Sequence, residues 1–369
     1  MTVWRLVVGS FLEKTEIIGL SISPRWYMGV NLTPIVSKHV SSLDELKKKS
    51  FAVDASNYLY QFLALIRTSD GSLLRDSEGN VTSHLMGLVF RTTHLMWRYK
   101  MHLVFVFDGK PPELKTREIR RRRKIREKAR KEWKEALQAG DYAKAHSKAI
   151  VTSRLTKSMV DDSKRLLKLL GIPFVQAPSE AEAQAAFMAN RGDVWAASSK
   201  DYDCLLFGSP RLVRFLTITG REYLPSKQGF RLLKPEIIIL KEFLGDCKIT
   251  RKQLVDLAIL VGTDFNQGVK GIGPKKALEL VRTHGKLENM PEDIKVEFVD
   301  DYQKIRNVFL RPDINQSYDI SYGELQEEMV YRFLCQERDF SKKRIRAALE
   351  RMKKFYSRRK QSDLERWFA

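Results

Sequence analysis

Five short runs of β-branched and aromatic residues recur along the first two-thirds of the chain, at Phe51–Val53, Leu103–Phe107, Ile172–Gln176, Val194–Ala197 and Leu212–Leu216. Such runs predict strands buried on both faces. Between them, helical patterns occupy Tyr58–Ile66, Ser83–Met96 and Met159–Leu170. Strands alternating with helices predict an α/β fold with a mostly parallel central sheet flanked by helices.

Three stretches stand outside this alternation. Between Lys115 and Lys134 twelve Lys or Arg accompany three Glu. Ile125, Ala129, Trp133 and Leu137 return every fourth residue, so one thin apolar stripe runs along a basic helix. Further on, Gly271-Ile272-Gly273-Pro274 is followed by Lys275, Lys276 and Ala277. Gly268 and Gly273 have a P-loop's separation, but Pro274 stands where its lysine is required. The stretch predicts instead a hairpin between two helices, with glycines and a helix N-terminus open to phosphate. Near the end, Ile345, Leu349, Met352 and Phe355 line one side of a helix over Ser341–Lys360. Gln361, Leu364, Trp367 and Phe368 then stand at i, i+3, i+6 and i+7, which predicts a short 3₁₀ turn that anchors in a partner's hydrophobic pocket.

Charge sharpens the picture. The formal net charge of +21 points to a polyanionic partner, most often nucleic acid. The three cysteines are far apart and odd in number, which argues against a disulfide framework and for a reducing compartment. There is no HExxH pair and no CxxC, so zinc has no support. No run of 18 apolar residues occurs, as a spanning helix would need. Leu6–Leu12 is apolar but is closed by Glu13 and Lys14, a poor fit to a signal peptide.

The acids carry the chemistry. Asp54, Asp108, Asp201 and Asp203 each follow an expected strand, at the carboxyl edge where open parallel sheets bind ligands. In "APSEAEAQAAF" (177–187), Ser179 and Glu182 have the spacing of a capping box. Glu180 and Glu182, two residues apart, would not share a helix face, but from a first turn both could reach past the helix end. Asp264 makes a seventh acid. So many anions in one site require cations, and oxygen-only donors select hard ions, Mg²⁺ or Mn²⁺. Two such ions about 4 Å apart, beside a basic strip, suit phosphodiester hydrolysis.

These residues resemble the flap endonucleases, structure-specific 5′ nucleases of the XPG type, and the archaeal members in particular. The matching stretches are MGVNLTPIV (28–36), FAVDASNYLYQFL (51–63), VFVFDGKPPELK (104–115), QAPSEAEAQAAF (176–187), SSKDYDCLLFG (198–208), LVGTDFNQGVKGIGPKKAL (260–278) and QSDLERWF (361–368). The resemblance implies that Asp54, Asp108, Glu180 and Glu182 hold mainly one Mg²⁺, and Asp201, Asp203 and Asp264 mainly a second. Lys115 and Arg122 would steady the scissile phosphate, and Tyr60 would stack on a base beside the cut. Gly271, Gly273, Lys275 and Lys276 would form a helix-hairpin-helix element holding duplex, with K⁺ bound there. Gln361, Leu364, Trp367 and Phe368 would dock into the sliding clamp PCNA. The implied activity is cleavage near the base of a 5′ flap, with 5′-3′ exonuclease action, leaving a ligatable nick in Okazaki-fragment maturation and DNA repair. The protein would be an intracellular monomer working with the DNA, away from membranes.

The implied organisation is an extension at 1–27, an N-terminal nuclease region at 28–125, a continuation of the basic helical arch at 126–150, an internal nuclease region with the hairpin at 151–286, a C-terminal helical region at 287–360 and the clamp peptide at 361–369. The family usually begins at the Met-Gly found here as Met28-Gly29, so a native start at Met28 is expected. Two other readings compete: a non-catalytic adaptor that binds branched DNA on the clamp, and a related metal-dependent ribonuclease. The adaptor leaves seven acids beside a basic strip without a purpose, and the hairpin and arch argue against the ribonuclease.

Overall fold

The computed structural model describes residues 29–68, 70–216, 220–224, 229–295 and 302–367. In chain order, the edge strand β1 (His39–Val40) precedes β2 (Ser50–Asp54), α1 (Ala55–Leu65), α2 (Ser83–Tyr99) and β3 (His102–Phe107). A helical hairpin follows, α3 (Thr116–Gln138) and α4 (Tyr142–Val151). Next come α5 (Lys157–Leu169), β4 (Phe174–Gln176), α6 (Ala181–Arg191), β5 (Ala196–Ser198), the one-turn α7 (Asp203–Leu206) and β6 (Arg211–Arg214). β7 (Gly220–Leu224) and β8 (Gly229–Leu233) pair with each other before β9 (Glu236–Ile239) rejoins the main sheet. Helices α8 (Leu240–Cys247), α9 (Arg251–Val261), α10 (Pro274–His284), α11 (Tyr302–Leu310) and α12 (Lys342–Trp367) complete the frame. None of the described helices is long and apolar enough to cross a membrane.

The main sheet runs β1-β9-β6-β5-β2-β3-β4. All five expected strands are present, and all their mutual ladders are parallel. The expectation of a mostly parallel sheet holds, with two antiparallel strands, β9 and β1, added beyond β6. Side chains along a strand alternate between faces. Ala52, Val104 and Val106 accordingly join one core with α6 and α9, while Phe51, Val53, Leu103, Phe105 and Phe107 join a second with α1, α2, α5 and α12. The alanines of α6 explain its composition. Ala183, Ala185, Ala186 and Ala189 are all buried, and their small size lets the helix lie close on β2 and β5.

The basic helix is α3. Its stripe is present: Ala129 is buried, and Ile125, Trp133 and Leu137 are half-buried. α3 packs along α4, and an ion pair joins Glu132 to Lys148. At the carboxyl end the backbone differs from expectation. No separate 3₁₀ turn forms at Gln361–Trp367, because α12 continues to Trp367 without interruption. The whole of α12 lacks Gly and Pro and is rich in Lys and Arg, both good helix formers. Phe368 lies outside the described residues.

Candidate active site

Register brings the acids together. Asp54 closes β2 opposite Val106, so Asp108 emerges two residues beyond it on the neighbouring strand. Asp54 also caps α1. Its Oδ1 accepts the Asn57 N–H at 2.9 Å and its Oδ2 the Ser199 hydroxyl at 3.1 Å.

Asp108 is exposed, and its Oδ1 accepts the Ala181 N–H at 2.8 Å. That contact overturns the expected capping box. The N-cap of α6 is Glu180, not Ser179, and no side chain makes the cap bond. The first free N–H of the helix is taken by an acid from another strand. Close approach at Gly109 makes this possible: its N–H donates to the Ser179 carbonyl at 2.6 Å, and a Cβ there would lie 2.1 Å from the Pro178 oxygen. Glu180 at the cap and Glu182 in the first turn then meet Asp108, with one carboxylate oxygen of each within 4.8 Å of the others.

Asp201 and Asp203 follow β5. Asp201 is 2% exposed. Its Oδ2 accepts the Asn57 amide at 2.7 Å, and its buried Oδ1 has no hydrogen-bond partner. Asp203 accepts the Val30 N–H at 3.1 Å. Asp264 sits in the tight turn after α9, where Asn266 accepts the Thr263 hydroxyl at 2.8 Å and donates to the Ile259 carbonyl at 2.7 Å. Asp264 accepts the Gly29 N–H at 3.0 Å and the Arg122 guanidinium at 2.6 Å, and faces Lys115 Nζ at 3.2 Å. Lys115 also pairs with Glu180, and Arg122 is held by Glu118 at 2.7 Å.

The electrostatics divide the site. Burial raises the Asp264 carboxyl, but Lys115 and Arg122 outweigh it and hold the group below the usual carboxylate range. The reverse holds elsewhere. Burial, then the Asp108 charge, pushes Asp54 up to about 8, and burial pushes Asp201 up to about 7. Glu182 and Asp203 rise well above their ordinary values through burial, then through Asp54 and Asp264 respectively. Burial also lifts Glu180 against the pull of Lys115. Among the described residues, Asp54, Glu182 and Asp203 make no ion pair. The arch foot neutralises one side of the cluster, and on the other Lys200 and Arg214 only partly offset the burial of Asp201.

A divalent cation fits that deficit. The donors are all carboxylate oxygens, as hard ions require. The unpartnered Oδ1 of Asp201 is a buried acceptor of the kind a cation satisfies. Cys204 is close enough to feel Glu182 and Asp54, but burial first, then those charges, push its thiol well up and keep it protonated. It offers no soft ligand.

The remaining expected residues are dispersed. Tyr60 is half-buried on α1, the helix that Asp54 starts. Gly273 caps α10 and Pro274 takes its first position, as expected for the hairpin; Lys275 and Lys276 are exposed there, and Gly271 has a φ of +78°. Four supporting residues escaped the sequence reading. Gly29 and Val30 present their N–H groups to Asp264 and Asp203. Gly29 admits no side chain, since a Cβ would lie 2.5 Å from the Asp203 carboxylate. Asn57, three residues after Asp54, bridges to Asp201. Fully buried Gln184, four residues after Glu180, donates to the Asn315 carbonyl at 2.8 Å and accepts its N–H at 2.7 Å. It pins an extended strap, residues 311–326, against α6. The MGVNL stretch and the spacing from Asp54 were visible signals for the first three; nothing local marks Gln184.

An open, mostly parallel sheet with carboxylates along its carboxyl edge and a basic helical hairpin beside them defines a class: a hydrolase for phosphodiesters. Comparison with known proteins narrows it. The XPG N-terminal domain matches residues 28–129 and the XPG I-region residues 171–264. Flap endonuclease 1 of Pyrococcus furiosus is 49% identical over 92% of this chain and 99% of its own length. That of Archaeoglobus fulgidus is 47% identical over 92% and 100%. The solved flap endonuclease-1 from Methanococcus jannaschii superposes with a TM-score of 0.72 at 40% identity, covering 90% of this chain and all of its own. The chain belongs to the flap endonuclease family, as a structure-specific nuclease of the archaeal kind.

Proposed function

We propose that the protein cuts DNA near the base of a 5′ flap with two Mg²⁺ ions, for which Mn²⁺ can substitute. Asp54, Asp108, Glu180 and Glu182 hold mainly one ion, and Asp201, Asp203 and Asp264 mainly the other. When bound, the ions supply an activated water and offset charge on the leaving oxygen. The protein's own part is placement. Asn57, Ser199, Gly29 and Val30 fix the carboxylates before substrate arrives. Lys115 and Arg122 bring two cations to the site, where they contact the scissile phosphate and stabilise charge that develops on it. Their joint contact with Asp264 is the observation that carries this reading, because it sets phosphate-binding groups beside the acid cluster.

Tyr60 stacks on a base beside the cut. The helix-hairpin-helix element of α9 and α10, through Gly271, Gly273, Lys275 and Lys276, holds duplex with a K⁺ ion bound. α3 and α4 form the arch for the single strand. Gln361, Leu364, Trp367 and Phe368 dock into the sliding clamp PCNA. The protein acts as a monomer inside the cell; its unpaired cysteines are consistent with a reducing compartment. Its flap and 5′-3′ exonuclease cuts leave ligatable nicks in Okazaki-fragment maturation and repair.

The test is a labelled 5′-flap duplex with and without Mg²⁺, repeated with Asp203→Ala. Cutting should require Mg²⁺, and the variant should bind the flap yet fail to cut it. Binding by the wild type without Mg²⁺-dependent cutting would overturn the proposal. Deletion of 361–369 should abolish stimulation by the clamp.

A further inference from the structure

Arg214 of β6 is 2% exposed. A guanidinium taken this far out of water needs partners. The first is Glu236, directly opposite on β9, whose Oε2 it meets at 2.9 Å. The other two lie in the loop that carries Asp201 and Asp203. β5 ends at Ser198 beside Val213, so that loop begins next to Arg214. Arg214 Nε donates to the Lys200 carbonyl at 2.7 Å, the oxygen of the peptide that leads into Asp201. Its Nη1 donates to the hydroxyl of Tyr202, the residue between the two acids, and the guanidinium carbon lies 4.0 Å from the centre of the Tyr202 ring.

Tyr202 is fully buried and passes the link on. Its hydroxyl shares a hydrogen bond at 3.0 Å with the Thr33 hydroxyl. Thr33 follows Gly29 and Val30, the residues whose N–H groups hold Asp264 and Asp203. From the other side, the Asn57 side chain accepts the Lys200 N–H at 3.2 Å. Lys200 is thus held at its N–H by α1 and at its carbonyl by β6. One guanidinium spans both neighbours of Asp201. Its donors lie in a fixed plane, so the separation of those neighbours follows from the shape of the fork, which a flexible ammonium does not share.

We propose that Arg214 is a positioning residue for the metal ligands Asp201 and Asp203, acting through the Lys200 carbonyl and the Tyr202 hydroxyl. The proposal rests on the two-ion reading above and extends it. Affinity for one of the ions is set from β6, a strand that carries none of the seven acids.

The test titrates Mn²⁺ into metal-free, DNA-free protein by calorimetry, for the wild type, Tyr202→Phe and Arg214→Lys. Tyr202→Phe removes one hydroxyl and keeps the ring. Arg214→Lys keeps the charge and loses the fork. Each should weaken Mn²⁺ binding about tenfold, the low end for groups that orient metal ligands. Affinity for the flap duplex in the presence of chelator should stay at the wild-type level in both. Wild-type Mn²⁺ affinity in either variant overturns the proposal: in Tyr202→Phe the hydroxyl would be idle, and in Arg214→Lys charge alone would suffice. A parallel loss of flap binding in chelator would show general damage to the fold and overturn it too. A wild type that binds no Mn²⁺ would instead overturn the two-ion reading.

Discussion

Asn57 is the residue that joins two acids from separate strands. Its N–H serves Asp54 and its amide serves Asp201, so one side chain sets the distance across the uncompensated half of the site. Groups that orient metal ligands typically govern affinity or activity by about 10–100-fold. Asn57→Ala should therefore raise the Mg²⁺ concentration needed for half-maximal cutting by about that factor, as read from a metal titration at fixed substrate. The raised carboxyls give a pH prediction. Asp54, near 8, and Asp201, near 7, bind protons more tightly in the fold than in the unfolded chain. The stability they contribute is complete at acid pH and is lost as pH rises through about 4 to 8. Asp264, held low, works in the other direction but only below that window. Metal competes with those protons. The rise in Tm on adding Mg²⁺ to chelated protein should thus be larger at pH 8 than at pH 5; an equal rise would contradict the assignment.

At the scale of elements, α9 leads into Asp264 and is clamped from behind. Arg306 of α11 grips the fully buried Asp256 at 2.7 and 2.9 Å and reaches Glu288 at 2.6 Å. Arg306→Met should cost about 3–5 kcal/mol, because it strands a buried carboxylate. Urea unfolding measures this, and a cost under about 1 kcal/mol would mean the clamp is ornamental. Elements were readable where the signal is local. The five parallel strands are continuous apolar runs, and the cap of α10 is a Gly-Pro pair. The two-residue β1 has no such signal, and exposed Val40 gives it no buried face. The start of α6 was misplaced by one residue for a different reason. Its first N–H is satisfied by Asp108, 73 positions away, and no rule about neighbours in sequence sees that bond. Six of the acids were readable because each ends or follows a strand or begins a helix; Asp264, in the turn after α9, has no such mark. Gln184 was not, because its partner is the backbone of Asn315, 131 positions away.

Across the whole molecule, the excess of 66 Lys and Arg over 45 Asp and Glu is distributed unevenly. α3 carries a dense block of it, while seven of the acids gather beside the carboxyl edge of the sheet. Association with DNA should weaken steeply with salt, and removing one lysine–phosphate interaction should reduce the slope of log K against log salt by about 0.9. Lys275→Ala and Lys276→Ala should each reduce that slope, as measured by titrating duplex at several salt concentrations. A changed affinity with an unchanged slope would mean that these lysines do not touch phosphate.

The pairing of Lys115 and Arg122 with Asp264 and Glu180 has a consequence for timing. In the structure these cations are occupied by the protein's own carboxylates, which under the proposed function stand in for the phosphate. On that reading, arrival of DNA and metal would be an exchange of partners: the acids would turn to the ions and the cations to the phosphodiester. Loss of one partner alone would leave a largely buried charge of these pairs uncompensated. Under the proposed function, the resting ion pairs would couple the arrival of DNA to that of metal at the arch foot, the side of the cluster that the protein's own cations already neutralise.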